Sequence, residues 1–589
     1  MATPSINNTS KTINMRKTAM VLIAGLCSIS VMAETKTVNL KIIETSDVHG
    51  CFFPYDYIED SPMEGSLARV STYIKKLRKE YGNNVILLEN GDILQGQPTC
   101  YYTNYVKPEL PNAAAEIVNW MGYDAQTLGN HDVETGHAVY DKWIGELSCP
   151  TLGANVIDTS TGKPYLKPYT IIEREGVKIA VIGMITPAIP NWLHEKLWSG
   201  LYFEDMAKAA AKWVDVVRNV EQADLIIGLF HSGWNGGIST LHYNEDESEY
   251  IARNIPGFDI IFFGHDHAPR CTVVKNIEDK DVFCLDPSCN AIFVADTDVT
   301  LTIKNGKVTK KNISGKLTSV ANTLVDEEFI NKFKHISDSV KSFTNRRIGH
   351  ITESIHTSDS FFGSSTFGDL IHSLQLSITG ADISFNAPLS FDAIVHKGDI
   401  HMNDMFKLYR YENDIYVMRL TGKEVRKHLE MSYDQWVNTM ESPDDHIMLL
   451  DSNAVHDKQR NMFKNLTFNF DSAAGIDYVV DVTKPDGEKV KILRMSNGEE
   501  FDESKWYKVV LNSYRGNGGG ELLTRGAGIP KDSLESRIIY RSERDQRYYL
   551  TQEIERQGTI VPHKLDNWRF VPEEWAEPAI RRDRKLLFE

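Results

Sequence analysis

The sequence predicts two α/β domains in tandem. A chain of 589 residues is too long for one hydrophobic core. From about residue 36 to 300, apolar strand-like runs alternate with amphipathic helical stretches, the pattern of an α/β sheet. The pattern then passes through a polar helix and restarts near residue 346. Hydrophobic residues at 41% and charged residues at 25% are ordinary for a globular enzyme.

The predicted strands of the first half are Val38–Glu44, Val85–Glu89, Ala125–Leu128, Val177–Gly183, Asp224–Phe230 and Asp259–Phe263. Ser66–Tyr81 and Asp205–Val220 carry apolar residues at helical spacing. Asn290–Ile303 reads as further strand that closes the domain. Val325–Phe343 is a polar helix with Phe329, Phe333, Ile336 and Val340 on one side, and reads as a connector. The division is then 34–320, a connector at 321–345, and a second domain at 346–589 with a glycine-rich turn at Gly516–Gly520.

Residues 1–33 read as a signal peptide rather than fold. Arg16 and Lys17 precede an apolar run from Thr18 to Val31, and Val31-Met32-Ala33 offers a small-residue cleavage site. The run is shorter than the ~20 residues of a spanning helix. An exported protein, periplasmic or extracellular after cleavage near Ala33, is expected, with no stable membrane span. Cys27 lies in the leader, which leaves Cys51, Cys100, Cys149, Cys271, Cys284 and Cys289. Export permits disulfides, six cysteines permit 15 pairings, and scattered free thiols fit equally well. There is no CxxC pair, so a thiolate zinc site is not expected. A net charge of −17 argues against a nucleic-acid polymer or polybasic membrane patch as partner.

Five polar motifs follow five of the strands: Asp47-Val-His49, Gly91-Asp92, Gly129-Asn-His-Asp132, His231, and Gly264-His-Asp-His267. Loops beyond the carboxyl ends of strands converge in open α/β sheets. Asp47 and His49 are two apart, which in an extended chain points both the same way, and His265 and His267 repeat the device. Each motif alone reads as a turn or a structural histidine. Together they are a mixed Asp, Asn and His donor set gathered at one edge.

These motifs resemble the metallophosphoesterase family over about residues 36–310. The second half is similar to the C-terminal domain of the 5′-nucleotidase and 2′,3′-cyclic-nucleotide phosphodiesterase superfamily. That likeness rests on Thr379-Gly-Ala-Asp-Ile, Lys397-Gly-Asp-Ile, Thr421-Gly-Lys-Glu-Val and Asn512-Ser-Tyr-Arg-Gly-Asn-Gly-Gly-Gly520. The resemblance implies an α/β chain with a four-layer αββα metal domain and a C-terminal α+β substrate domain, joined by a helix. It also implies two divalent metal ions, Zn²⁺, Mn²⁺ or similar. One would be held by Asp47, His49, Asp92 and His267. The other would be held by Asp92, Asn130, His231 and His265, with Asp92 bridging. His131 would stabilise charge building on phosphate or leaving oxygen. Its carboxylate partner in the family lies three residues on, here Glu134 where Asp is commoner, with Asp132 a competing partner.

The same resemblance implies that a nucleobase is sandwiched between Tyr411 and Tyr514, a contact worth ~1–3 kcal/mol per base. Asn386, Gly518 and Gly519 are expected beside the substrate, the glycines because they permit close approach. The segment Asn386-Ala-Pro-Leu-Ser-Phe-Asp392 lacks the arginine that binds phosphate in 5′-nucleotidases. In that respect, and in its two tyrosines, the chain is nearer the 2′,3′-cyclic phosphodiesterase/3′-nucleotidase branch. A nucleotide phosphohydrolase is expected, either a 2′,3′-cyclic-nucleotide phosphodiesterase/3′-nucleotidase or a 5′-nucleotidase, since neither feature decides the position of the phosphate. The alternatives are a phosphoesterase for nucleotide-sugars or sugar phosphates, and a nucleotide-binding protein with a dead metal site.

Overall fold

The structure is a computed structural model describing residues 35–451 and 462–589. The leader expected at 1–33 lies outside the described residues. The first sheet is ordered Lys307–Ser319, Phe293–Lys304, Thr35–Thr45, Val85–Glu89, Ala125–Thr127, Thr151–Leu152. The second is ordered Arg270–Lys275, Asp281–Asp286, Ile260–Phe263, Leu225–His231, Val177–Ile185, Tyr169–Arg174. Six predicted strands lie within these sheets. Thr45, Glu89, Thr127, His231 and Phe263 mark carboxyl ends of parallel strands, and the metal motifs follow from them.

The layering follows from strand alternation. Val38, Leu40 and Ile42 point to one side and meet Ile179, Val181, Ile227, Leu229 and Phe262 of the other sheet. Ile43 and Leu87 point the other way, onto the helices Leu67–Tyr81 and Ala113–Met121. Ala180 and Ile182 face the helices Met206–Asn219 and Ser248–Asn254. The result is helix, sheet, sheet, helix. The predicted first residues of two helices are their caps: Ser66 accepts from the Arg69 amide and Asp205 from the Lys208 amide.

The helix Glu327–Thr344 buries Phe329, Phe333, Ile336 and Val340 in the core beneath the first sheet's helices. Trp120 meets Phe329 and Phe333 edge-on. The second domain is built on a five-stranded sheet, Ser472–Ala474, Ile383–Asn386, Trp506–Asn512, Asp414–Thr421, Ile538–Asp545. The helices Thr366–Thr379 and Gly422–Trp436 contribute to its cores. All six cysteines after the leader are free, so the thiol alternative is the one the fold holds. No helix of the described residues is long and apolar enough to cross a membrane.

The domains are joined by partly buried polar contacts. Tyr101 donates to Asp545 at 2.9 Å, and Asn403 to the Ile58 carbonyl at 3.1 Å. The Arg547 guanidinium sits 4.8 Å from the Tyr101 ring and 4.0 Å from the Phe406 ring.

Within the second domain His372 is fully buried between Ser384 Oγ (2.9 Å) and Ser472 Oγ (3.1 Å). Burial lowers its pKa to about 4. The unfolded chain takes up this proton near pH 6.5, the native chain only near 4, so stability falls as pH drops through that window. This residue should cost roughly 2–3 kcal/mol between pH 7 and 4.5. Urea unfolding at both pH values should show a smaller loss in His372→Gln; an equal loss in both proteins would contradict the assignment.

Candidate dimetal site

The five motifs converge at one edge of the two sheets, and left-handed backbone brings them there. Asp47, His49, Asp92, His265 and His267 have φ of 50°, 49°, 56°, 79° and 57°. Non-glycine residues seldom adopt this region, and its clustering is a mark of functional sites. Here it corrects the expectation of an extended Asp47–His49 and His265–His267. His49 and His267 join Asp47 in one group of facing donors, whereas His265 joins Asp92 and His231 in another. A turn at each residue, not strand alternation, divides His265 from His267.

In the first group, His267 Nε2 lies 3.2 Å from Asp47 Oδ1 and 3.1 Å from His49 Nε2. Asp47 Oδ1 is buried with no hydrogen-bond partner, while Oδ2 accepts from Ser46 Oγ and the His265 amide. His49 Nδ1 lies 3.2 Å from the Gln95 carbonyl, a contact only N–H can satisfy, so Nε2 is a bare lone pair. Burial, followed by His267, lowers His49 to about 3 and keeps it neutral. An orphaned carboxylate oxygen facing a bare imidazole nitrogen fits a cation.

The second group is built the same way. His231 Nδ1 lies 2.7 Å from the Asn90 carbonyl, and Nε2 lies 3.2 Å from Asp92 Oδ2 and 3.1 Å from Asn130 Oδ1. With no cation the acids draw a proton onto this ring: against the effect of burial, Asp92 and Asp47 raise His231 to about 10. A divalent ion held by the same acceptors would take the place of that proton. Asp92 is held well below the carboxylate range despite burial, by His231 and His131.

His131 stands beside these groups on the short helix Asn130–Glu134. Its Nδ1 is 2.5 Å from Glu134 Oε2, so the longer carboxylate reaches. Its ring meets His49 edge-on, with centroids 5.7 Å apart. Burial opposes its charge, but Asp92 and Glu134 together raise it to about 10. Asp132 is not its partner. Asp132 is fully buried and accepts four backbone amides: Asp92 (2.9 Å), Gly129 (2.8 Å), Ile93 (3.0 Å) and Leu94 (2.9 Å). It braces the loop that carries Asp92. A residue three along from the helix cap Gly129 is placed for that task, and this was the signal available in the sequence.

The second domain carries both tyrosines. Tyr411 is half-buried, and its phenol is near enough to act on both His131 and Tyr514. Tyr514 is pushed up to about 12, first by burial. A Cβ on Gly519 would collide with the Tyr514 ring, so only glycine admits that ring. Gly518 lies one residue before, at φ +98°, in contact range of Lys531. Asn386 is buried at a strand end with Oδ1 unpartnered.

With this geometry in view, the likeness to known proteins becomes specific. The calcineurin-like phosphoesterase model matches residues 40–269, and the model of the 5′-nucleotidase C-terminal domain matches 347–525. The chain belongs to the metallophosphoesterase/5′-nucleotidase superfamily. It is 26% identical to a 2′,3′-cyclic-nucleotide 2′-phosphodiesterase/3′-nucleotidase of Haemophilus influenzae, covering 92% of this chain and 89% of that one. A Salmonella typhimurium protein of the same name is 27% identical over 95% and 92%. The crystal structure of a 5′-nucleotidase precursor from Thermus thermophilus superposes with a TM-score of 0.62 at 21% identity. It covers 91% of this chain and all of that one. The superfamily implies divalent ions, and the donor groups described here fit them.

Asp132→Ala should strand four buried amides, lowering stability by about 3–5 kcal/mol and metal content with it. Thermal melting and elemental analysis check this; a mutant that keeps wild-type stability and metal would refute the brace.

Proposed function

We propose that the chain is an exported two-metal phosphohydrolase that releases phosphate from nucleotides, 2′,3′-cyclic and 3′-nucleotides foremost. One observation carries the reading: two groups of facing metal donors, built on the buried Asp47, Asp92 and His231, lie beside His131, with Tyr411 of the second domain close to that histidine. The relatives named above support the cyclic and 3′ preference, as does the absence of arginine from Asn386–Asp392. The leader pattern of residues 1–33 supports export.

Asp47, His49, Asp92 and His267 would hold one ion; Asp92, Asn130, His231 and His265 would hold the other. Bound there, the ions would supply hydroxide at neutral pH and positive charge for the phosphoryl oxygens. The chain's own residues do the rest. With Nδ1 on Glu134, the His131 imidazolium leaves Nε2–H as a donor toward the charge that builds in the transition state. Tyr411 and Tyr514 bind the base by their ring faces, which accepts any base.

A panel of 2′,3′-cyclic AMP, 3′-AMP, 5′-AMP, ADP and UDP-glucose, scored by phosphate and nucleoside release, tests the preference. Turnover of 5′-AMP or UDP-glucose above both the cyclic and 3′ substrates would overturn it.

His131→Ala should keep both metals and lose roughly 10²–10⁴ in kcat, the scale of a positioned proton donor. Loss of metal instead, measured by elemental analysis, would make it a ligand. Tyr411→Ala and Tyr514→Ala should each raise KM for nucleotides roughly 5- to 150-fold while sparing an alkyl phosphodiester. Unchanged ratios between the two substrates would remove the second domain as base reader.

A further inference from the structure

Glu245 belongs to no motif of the sequence, yet it touches a metal-group histidine. It lies on the strand Asn244–Asp246, paired with Gly236–Ser239. Its backbone carbonyl accepts from Thr186 Oγ1 at 3.0 Å and from Ser232 Oγ at 2.9 Å, which pins the residue beside His231. Its Oε2 accepts the Ile238 amide at 2.6 Å, and its Oε1 lies 3.1 Å from His265 Nε2. A Cβ on Gly237, at φ +64°, would come within 2.5 Å of Oε2. Glycine is what lets the carboxylate lie across the hairpin.

A carboxylate only accepts, so a bond between Glu245 and His265 requires the proton on Nε2. The ring nitrogen left bare is then Nδ1. His49 and His231 have the opposite arrangement, with Nδ1 turned to backbone carbonyls and Nε2 turned to the other metal donors. We propose that Glu245 is the positioning residue of the second ion, fixing the His265 tautomer so that Nδ1 faces that ion. The contact with Glu245 is a hydrogen bond from the His265 ring itself, and so ties the orientation of that ring. The Trp192 ring, 5.7 Å from the imidazole centroid, covers it from one side without a hydrogen bond. A carboxylate also makes the imidazole a stronger donor than a carbonyl does, so affinity at this site depends on one replaceable side chain. Asp246 stands close to the same pair, but its Oδ1 already accepts the Gly233 amide at 2.7 Å. This inference rests on the two-metal reading above.

The test is metal titration of the full chain. Protein stripped with a chelator is titrated with Mn²⁺ or Zn²⁺, and bound ions are counted by elemental analysis. Wild type should bind two ions. Glu245→Ala should weaken one binding step by roughly 10–100-fold and leave the other unchanged. Glu245→Gln keeps one acceptor oxygen for the Ile238 amide and His265 Nε2–H together, so it should weaken the same step less than the alanine variant does. Melting of the stripped proteins separates lost affinity from lost fold, and Glu245→Ser repeats the test with a side chain too short to reach. Wild-type affinity for both ions in the alanine variant would overturn the proposal. Equal losses in alanine and glutamine variants would also overturn it, by making Glu245 a ligand. A third wild-type ion lost in the alanine variant would do so too, by making Glu245 and Asp246 a separate cation site. A wild-type chain that binds fewer than two ions would instead fail the two-metal reading itself, and this inference with it.

Discussion

Carboxylates buried together at one edge of two sheets set the terms for the rest of this molecule. Asp47, Asp92 and Asp132 surround the donor groups, and Glu44, Glu89 and Asp286 lie beneath them, all within 1% of full burial. Their charges cannot all survive without compensation. The inner acids give way: burial and neighbouring carboxylates push Glu44, Glu89 and Asp286 far above the usual range. Both oxygens of Glu44, one of Glu89 and one of Asp286 lack partners. The outer acids Asp47 and Asp92 stay ionised because histidines face them. Divalent cations are the compensation this charge pattern fits, and the bare Nε2 of His49 beside Asp47 is one place for such an ion.

Holding such a site demands backbone that does not relax. Five of the donor residues sit in left-handed conformations, which cost of order 1–3 kcal/mol each unless their surroundings enforce them. The enforcement is visible in Asp132, whose four amide contacts freeze the loop around Asp92. Two buried guanidiniums serve the second domain in the same manner. Arg515 bonds both oxygens of Asp471, Asn469 Oδ1 and the Gly519 carbonyl, fixing the turn against which Tyr514 packs. Arg547 bonds Glu412 and the carbonyls of Tyr409 and Arg410, fixing the segment that carries Tyr411. Each tyrosine has its own arginine behind it.

Much of this is legible in the sequence because it is written in local pattern. Strand runs, the caps Ser66 and Asp205, and polar motifs after strands are signals of one to five residues. The missing parts depend on distant backbone. Nothing in Asn90 or Gln95 announces that their carbonyls orient His231 and His49, since every residue has a carbonyl. Glu245 reads as one acid among many on an unremarked hairpin, and only the fold brings it to His265. Asp132 and Glu134 compete for His131 on paper, because sequence separation alone cannot say which of them turns toward the ring. The strands Arg270–Lys275 and Lys307–Ser319 escape sequence reading for a simpler reason. Both lie at sheet edges and are largely exposed, so neither shows an apolar run.

The cleft beside His131 shows how the two domains make one site. Its walls include Glu134, Tyr101 and Tyr105 from the metal domain and Glu412 from the other. Glu412 is an acid brought close to Glu134, and a second uncompensated charge there would compete for the His131 proton. Arg547 prevents this by pairing with Glu412 at 2.9 Å, while its guanidinium packs on Tyr101. The same arginine therefore seats the segment of Tyr411, neutralises the acid beside it and packs against the metal domain. Against burial, the charge on His131 is upheld by Asp92 and Glu134 of its own domain, while the second domain's part is to bring the Tyr411 segment beside it. The histidine proposed for the chemistry and the tyrosine proposed for recognition are in this way set side by side where the two domains meet.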